Sequence, residues 1–180
     1  MEIEQVGEEH MAKDFLNVIE RALMMGISDK INQGTATGND IYVYGEFPET
    51  EELKFPAIVV SQTGSGFQEQ LMGQAMTFDS NSGTGEIYGI SFTVHLILDK
   101  ETQISVTGSS EPYKQRRLLN WLMLNVANAV LDIDWEVYRE ESLEVLERTL
   151  QAYRNIGFIP EIQYYGASAD FLLTFKNYRS

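Results

Sequence analysis

Histidine chemistry in this chain is limited to His10 and His95, and there is no cysteine. Cysteine nucleophiles, thiolate metal sites and disulfides are thereby excluded. His95 lies in Gly85–Asp99, GEIYGISFTVHLILD, where Ser91 and Thr93 are its neighbours on the polar side of an alternating stretch. A hydroxyl beside an imidazole is the beginning of an acyl-transfer site. The Gly-x-Ser-x-Gly elbow that would expose a serine nucleophile is missing, however. Neither His-x-x-x-His nor His-Glu-x-x-His occurs, so a zinc site has no support. His95 reads as a structural histidine or one at a subunit contact, and His10 sits in an acidic N-terminal stretch.

The other chemistry-bearing clusters are equally spare. Gly64-Ser-Gly66 and Gly83-Thr-Gly85 lack the spacing of a phosphate loop, and no Gly-Lys-Ser/Thr follows either. The second leads into a strand, whereas a dinucleotide loop must open a helix whose free amides face the anion. Both read as turns. Asp132-Ile-Asp134-Trp-Glu136 could share a cation if extended, but it lacks the glycine and terminal glutamate of a calcium loop and reads as solvated acids. Lys114, Arg116 and Arg117 form the one dense basic cluster. In a chain of net charge −14, these cations fit a neighbour's carboxylates better than nucleic acid. No cofactor and no metal is expected.

The stretches that must position these residues imply an α+β fold. Met11, Phe15, Val18, Ile19, Ala22 and Leu23 predict a helix over 8–25, ended by Gly26. Short strands are expected at 41–44 and 55–62, with Pro56 at a strand start or edge. Residues 67–78 read as an irregular, weakly paired strand, and 79–85 as a loop. Tyr88, Ile90, Phe92, Val94, Leu96 and Leu98 then alternate with smaller or polar residues, the pattern of a central antiparallel strand buried on one face. A helix over about 112–131 is expected, with Pro112 in its first turn. Its inner face is Leu118, Leu119, Leu122, Val126, Ala129 and Val130, but Trp121, Met123, Leu124 and Leu131 spill beyond it. Such a helix needs cover on a second side, from another helix or from a partner subunit. Residues 132–138 read as a short strand or an extended crossing.

Leu143, Leu146, Leu150 and Tyr153 fit a second amphipathic helix near 139–155. A C-terminal strand follows, with Phe171, Leu173 and Phe175 on one side. The whole reads as one domain over 1–180, with a flexible N-terminus over 1–8 and long loops over 26–40, 64–85 and 99–111. At 43% apolar residues the composition is globular. The opening residues lack the basic start and apolar core of a signal peptide, and no apolar run reaches the roughly 20 residues of a membrane span. Synthesis in a reducing cytoplasm is the natural reading, and the acidic balance disfavours both nucleic acid and anionic membrane as partners.

The order of elements resembles the tail terminator and head–tail joining proteins of long-tailed bacteriophages. The likeness rests on an N-terminal amphipathic helix and a strand beginning Phe55-Pro-Ala-Ile-Val-Val. After these come the long strand Tyr88–Leu98, a helix opening Arg116-Arg-Leu-Leu, and a late strand Phe171–Phe175. It spans most of residues 8–131 and the last strand; the 132–158 segment is longer than that pattern expects. The resemblance implies a non-enzymatic virion protein assembled in the host cytoplasm. It would form a homo-oligomeric ring, expected to be hexameric, that ends tail-tube polymerisation between the tail tube protein and the neck or connector proteins. DNA would pass the bore without specific binding, which an acidic chain suits. Lys114, Arg116, Arg117, Trp121, Leu124 and His95 are the candidate subunit contacts, and the three long loops would order on assembly. A head-side neck adaptor, an injection-system ring component, and a small ligand-binding module or enzyme centred on His95 are the alternatives.

Overall fold

The computed structural model describes residues 6–36, 41–49, 52–69, 76–78, 81–136 and 143–179. The fold is α+β. In chain order the elements are α1 (Val6–Gly34), β1 (Tyr42–Tyr44), β2 (Ala57–Glu69), β3 (Met76–Phe78), β4 (Asn81–Asp99), β5 (Gln103–Ile104), β6 (Tyr113–Lys114), α2 (Gln115–Asp132), β7 (Leu143–Ile159) and β8 (Tyr164–Arg179). A six-stranded sheet runs β1-β2-β4-β8-β7, with β3 paired to the start of β4. Only β1 is parallel to its neighbour; the remaining pairs are antiparallel.

The long alternating stretch is the centre of this sheet. β4 pairs with β8 in unbroken register from Thr84↔Arg179 to Asp99↔Tyr164. Ile90, Phe92, Val94, Leu96 and Leu98 are buried on the side where both helices lie, opposite Leu173, Phe171, Ala169, Ala167 and Tyr165 of β8 in turn. The second cover that α2 required comes from α1, the helix alternative of the two. Ile19, Leu23, Ile27 and Ile31 step by four along α1 and join the same buried cluster as Leu118, Leu122, Val126 and Val130 of α2.

Several expectations are corrected. Gly26 does not end the first helix. A mid-helix glycine costs roughly 1 kcal/mol, but full burial of Ile27 and Ile31 returns about 1.5–3 kcal/mol each, so the helix continues to Gly34. Gly26 instead permits close packing, since a Cβ there would lie 2.7 Å from Ile133 Cγ1. Residues 6–8 are helical rather than a flexible end, and 1–5 lie outside the described residues.

The turn expected at Gly64–Gly66 lies inside β2, paired with Ser91–Gly89 across a bulge after Gln62. Residues 81–85, expected as loop, open β4, and the irregular segment divides into the end of β2 and β3. Its residues 70–75 lie outside the described ones, as do 37–40 and 79–80. The 99–111 linker carries Ile104 and Val106 into the core, and β5 pairs with β6. Thr35 bridges to Val106. Much of the three segments expected to order only on assembly is thus ordered within one chain. Pro112 precedes β6 and so lies outside the first turn of α2.

The largest correction is at 139–155. This segment is no helix: from Leu143 it is β7, paired with β8 from Tyr164 to Asn177, while 139–142 lie outside the described residues. Register shifts at Val145/Glu147, Leu150/Ala152 and Asn155/Gly157 each insert an extra residue. Val145, Arg148, Leu150, Tyr153, Asn155 and Phe158 therefore share the helix-covered side of the sheet in steps of three, two, three, two and three. That rhythm falls between the strand and helix periods, and it imitates an amphipathic helix. Of 132–138, Ile133 and Trp135 are buried without forming a strand, and 137–138 lie outside the described residues.

Candidate functional site

Edge strands leave one row of backbone groups without a sheet partner. The two edges of this sheet are unequal. β1 is three residues long, with α1 passing over it. β7 is seventeen residues long and exposes large apolar side chains. Leu150, Tyr153 and Phe158 are partly exposed on the helix side, and Ile156 is 58% exposed at a bulge. On the same flank, Asn155 Nδ2 reaches Asn120 Oδ1 of α2 at 3.5 Å, and the Arg148 guanidinium donates to the carbonyl of Leu131. The flank of α2 between those two contacts carries Leu124, 61% exposed. Near the start of α2, Arg116, Leu119, Asn155, Gly157, Phe158 and Tyr165 line an open groove of about 440 Å³. Burying such a surface against a neighbour is favourable by roughly 25 cal/mol per Å².

Of the six candidate contacts, the fold brings Arg116 and Leu124 to this edge. Lys114 is exposed at the N-cap of α2. Arg117 lies over the Tyr113 ring, 3.9 Å from its centroid. Trp121 is half-buried within its own chain, edge-on to Tyr113 at 6.3 Å. It lies close enough to Gly34 that a Cβ there would be 2.9 Å from its Cζ2.

His95 belongs elsewhere, on the sheet face away from the helices, paired across the strands with Val59 and Ser168. The Phe47 ring packs against it, tilted by 55°, at 5.1 Å between centroids. Burial pushes its pKa below the usual histidine value, and the Asp170 carboxylate partly opposes this. Asp170 itself accepts from Thr93 Oγ1 at 2.8 Å and pairs with Arg154 at 2.6 Å. Its two oxygens are thus committed to Thr93 and Arg154, an arrangement that braces three strands. Among the described residues no group of three or more His, Cys, Asp or Glu side chains could hold a metal ion.

The opposite edge holds a feature that the sequence reading passed over. Glu20 of α1 sits against the turn after β1, where a Cβ on Gly45 would fall 1.9 Å from Glu20 Oε1. Burial, and then the nearby Glu46 carboxylate, raise the Glu20 pKa above the ordinary carboxylate value. Beside this acidic pair, Met24, Met25, Ile41, Tyr42 and Tyr44 line a second groove, of about 390 Å³. The Glu46-Phe47 dipeptide gave no periodic signal, because its neighbourhood is set by the chain crossing the sheet.

The chain matches none of the family models and none of the curated proteins with which it was compared. Among the described residues no helix is long and apolar enough to cross a membrane.

Proposed function

We propose that this chain is a structural virion protein that forms a homo-oligomeric ring at the tail–neck junction of a long-tailed bacteriophage. In this reading it ends tail-tube polymerisation on one side and receives the neck or connector on the other. The observation that carries the reading is the β7 edge, a seventeen-residue strand whose exposed leucines and aromatics lie beside Leu124 and Arg116. A surface of that kind on a chain of net charge −14 calls for a specific neighbour, because self-repulsion opposes casual association. The resemblance in element order supplies the place of assembly, and the acidic balance suits a bore through which DNA moves without sticking.

Native mass measurement tests the assembly directly: the particle should be a discrete multiple of 20.5 kDa, with six copies expected, and should image as a ring. Antibody labelling of purified virions should mark the junction of head and tail. A chain that stays monomeric at high concentration and is missing from virions overturns the reading.

A further inference from the structure

The two grooves lie at opposite ends of one row across the sheet. Tyr42 pairs with Ala57, Ala57 with Ile97, Ile97 with Gly166, and Gly166 with Gly157. Five strands at about 4.8 Å spacing put the row's ends roughly 19 Å apart. Both grooves open on the side of the sheet that carries the helices, one beneath α1 and the other beneath the start of α2. Their charges are opposite. Glu20 and Glu46 stand at the β1 end, with Glu49 and Glu52 exposed on the same connection; Lys54 is held over the Tyr42 ring. Arg116, with Lys114 and Arg117 beside it, stands at the β7 end. Among the described residues Arg116 makes no ion pair, and at the other end burial and then the Glu46 carboxylate raise the Glu20 pKa.

We propose that a second copy of this chain occupies each groove, packing head to tail. The Arg116–Phe158 edge of one copy would seat against the Met24–Tyr44 groove of the next, with Arg116 facing Glu46 and Glu20. This rests on the ring reading above and names the surfaces by which the ring closes. Two different patches at equal height on opposite flanks make a heterologous contact, which closes a ring when the rotation per copy divides a full turn. The bulges that bend β7 interrupt continuous strand addition, so the contact is made by side chains rather than by extending the sheet.

The test uses the full chain and sedimentation at several concentrations. Arg116→Glu and Glu46→Lys are both exposed positions, and an unchanged far-ultraviolet circular dichroism spectrum shows that each variant folds, whereas the melting temperature falls with lost association. Each alone should weaken association by about tenfold or more, as like charges meet. An equimolar mixture should recover the wild-type particle. In it the introduced carboxylate of one variant meets the introduced ammonium of the other, and the native pair meets at the alternate contact. Phe158→Ser should weaken association without depending on salt. If the wild type is oligomeric but neither charge variant weakens it, or the mixture fails to recover, the proposed contact is wrong while the ring reading stands. A strictly monomeric wild type overturns both.

Discussion

The two faces of the sheet are built on different terms. The helix side is a continuous apolar contact in which Phe92, Val94, Phe171, Leu173 and Phe175 meet α1 and α2 with almost no exposure. The other side has no helix among the described residues. It is crossed by the connection from β1 to β2, which lays Phe47 on His95 and Phe55 on Tyr164. Beneath that connection Val59 is fully buried, and Thr93 and Ser168 are nearly so. The contrast amounts to a division of labour. The first face supplies the free energy of folding through burial, and the second holds strand positions through a few polar contacts that run from buried Thr93 to exposed Arg154.

The widest test of this division pairs an aromatic from each face. Phe171→Ala should cost about 3–5 kcal/mol in urea unfolding, since the side chain is 1% exposed and its cavity cannot fill. Phe47→Ala, 56% exposed, should cost about 1 kcal/mol or less. Equal losses would erase the distinction between the faces.

A smaller effect is expected where α1 presses on the end of α2. Gly26→Ala gains helix propensity worth roughly 1 kcal/mol, but the new Cβ would stand 2.7 Å from Ile133 Cγ1. Overpacking of that kind costs about 1–3 kcal/mol. The net should be a destabilisation of roughly 1 kcal/mol, read as a lowered urea midpoint. In an Ile133→Ala background the same substitution should become stabilising, because the obstructing atom is gone while the propensity gain remains. Additive effects of the two changes would show that α1 and α2 do not meet at Gly26.

How far the sequence disclosed all this depends on whether the period was clean. β4 was legible because its register with β8 never shifts, so every second residue stays on one face. The need of α2 for a second cover was legible too, from the apolar residues beyond its inner face. The extent of α1 was available in the four-residue row Ile19, Leu23, Ile27, Ile31, but a glycine in the middle of the row outweighed it. β7 was hidden because its bulges produce a mixed step, and the density of Tyr153, Ile156, Phe158 and Ile159 was the one strand signal left. Of the candidate contacts, Arg116 and Leu124 stand at the exposed edge. The acidic pair Glu20 and Glu46 is made by residues distant in sequence, and no local pattern could have joined them.

The finest test returns to the open face. Asp170→Asn keeps an acceptor for Thr93 but removes the charge facing Arg154. Because Arg154 is 61% exposed, the loss in stability should be only about 1 kcal/mol or less. The same change should act on His95. Burial lowers that pKa and the Asp170 charge raises it, so removing the charge should move it further below 6.5. Titrating the imidazole Cε1 proton by NMR reads this directly, with His10 as the only other histidine. The sign for stability follows. The unfolded chain takes up this proton near 6.5 and the folded chain only at lower pH. The contribution of neutral His95 is therefore complete above about 6.5 and is lost as pH falls through the interval down to the folded value. His95→Gln should flatten that part of the stability profile and leave the rest in place. If Asp170→Asn instead raised the His95 midpoint, the two side chains would not share a field, and the open face would lose its claim to be held together by charge.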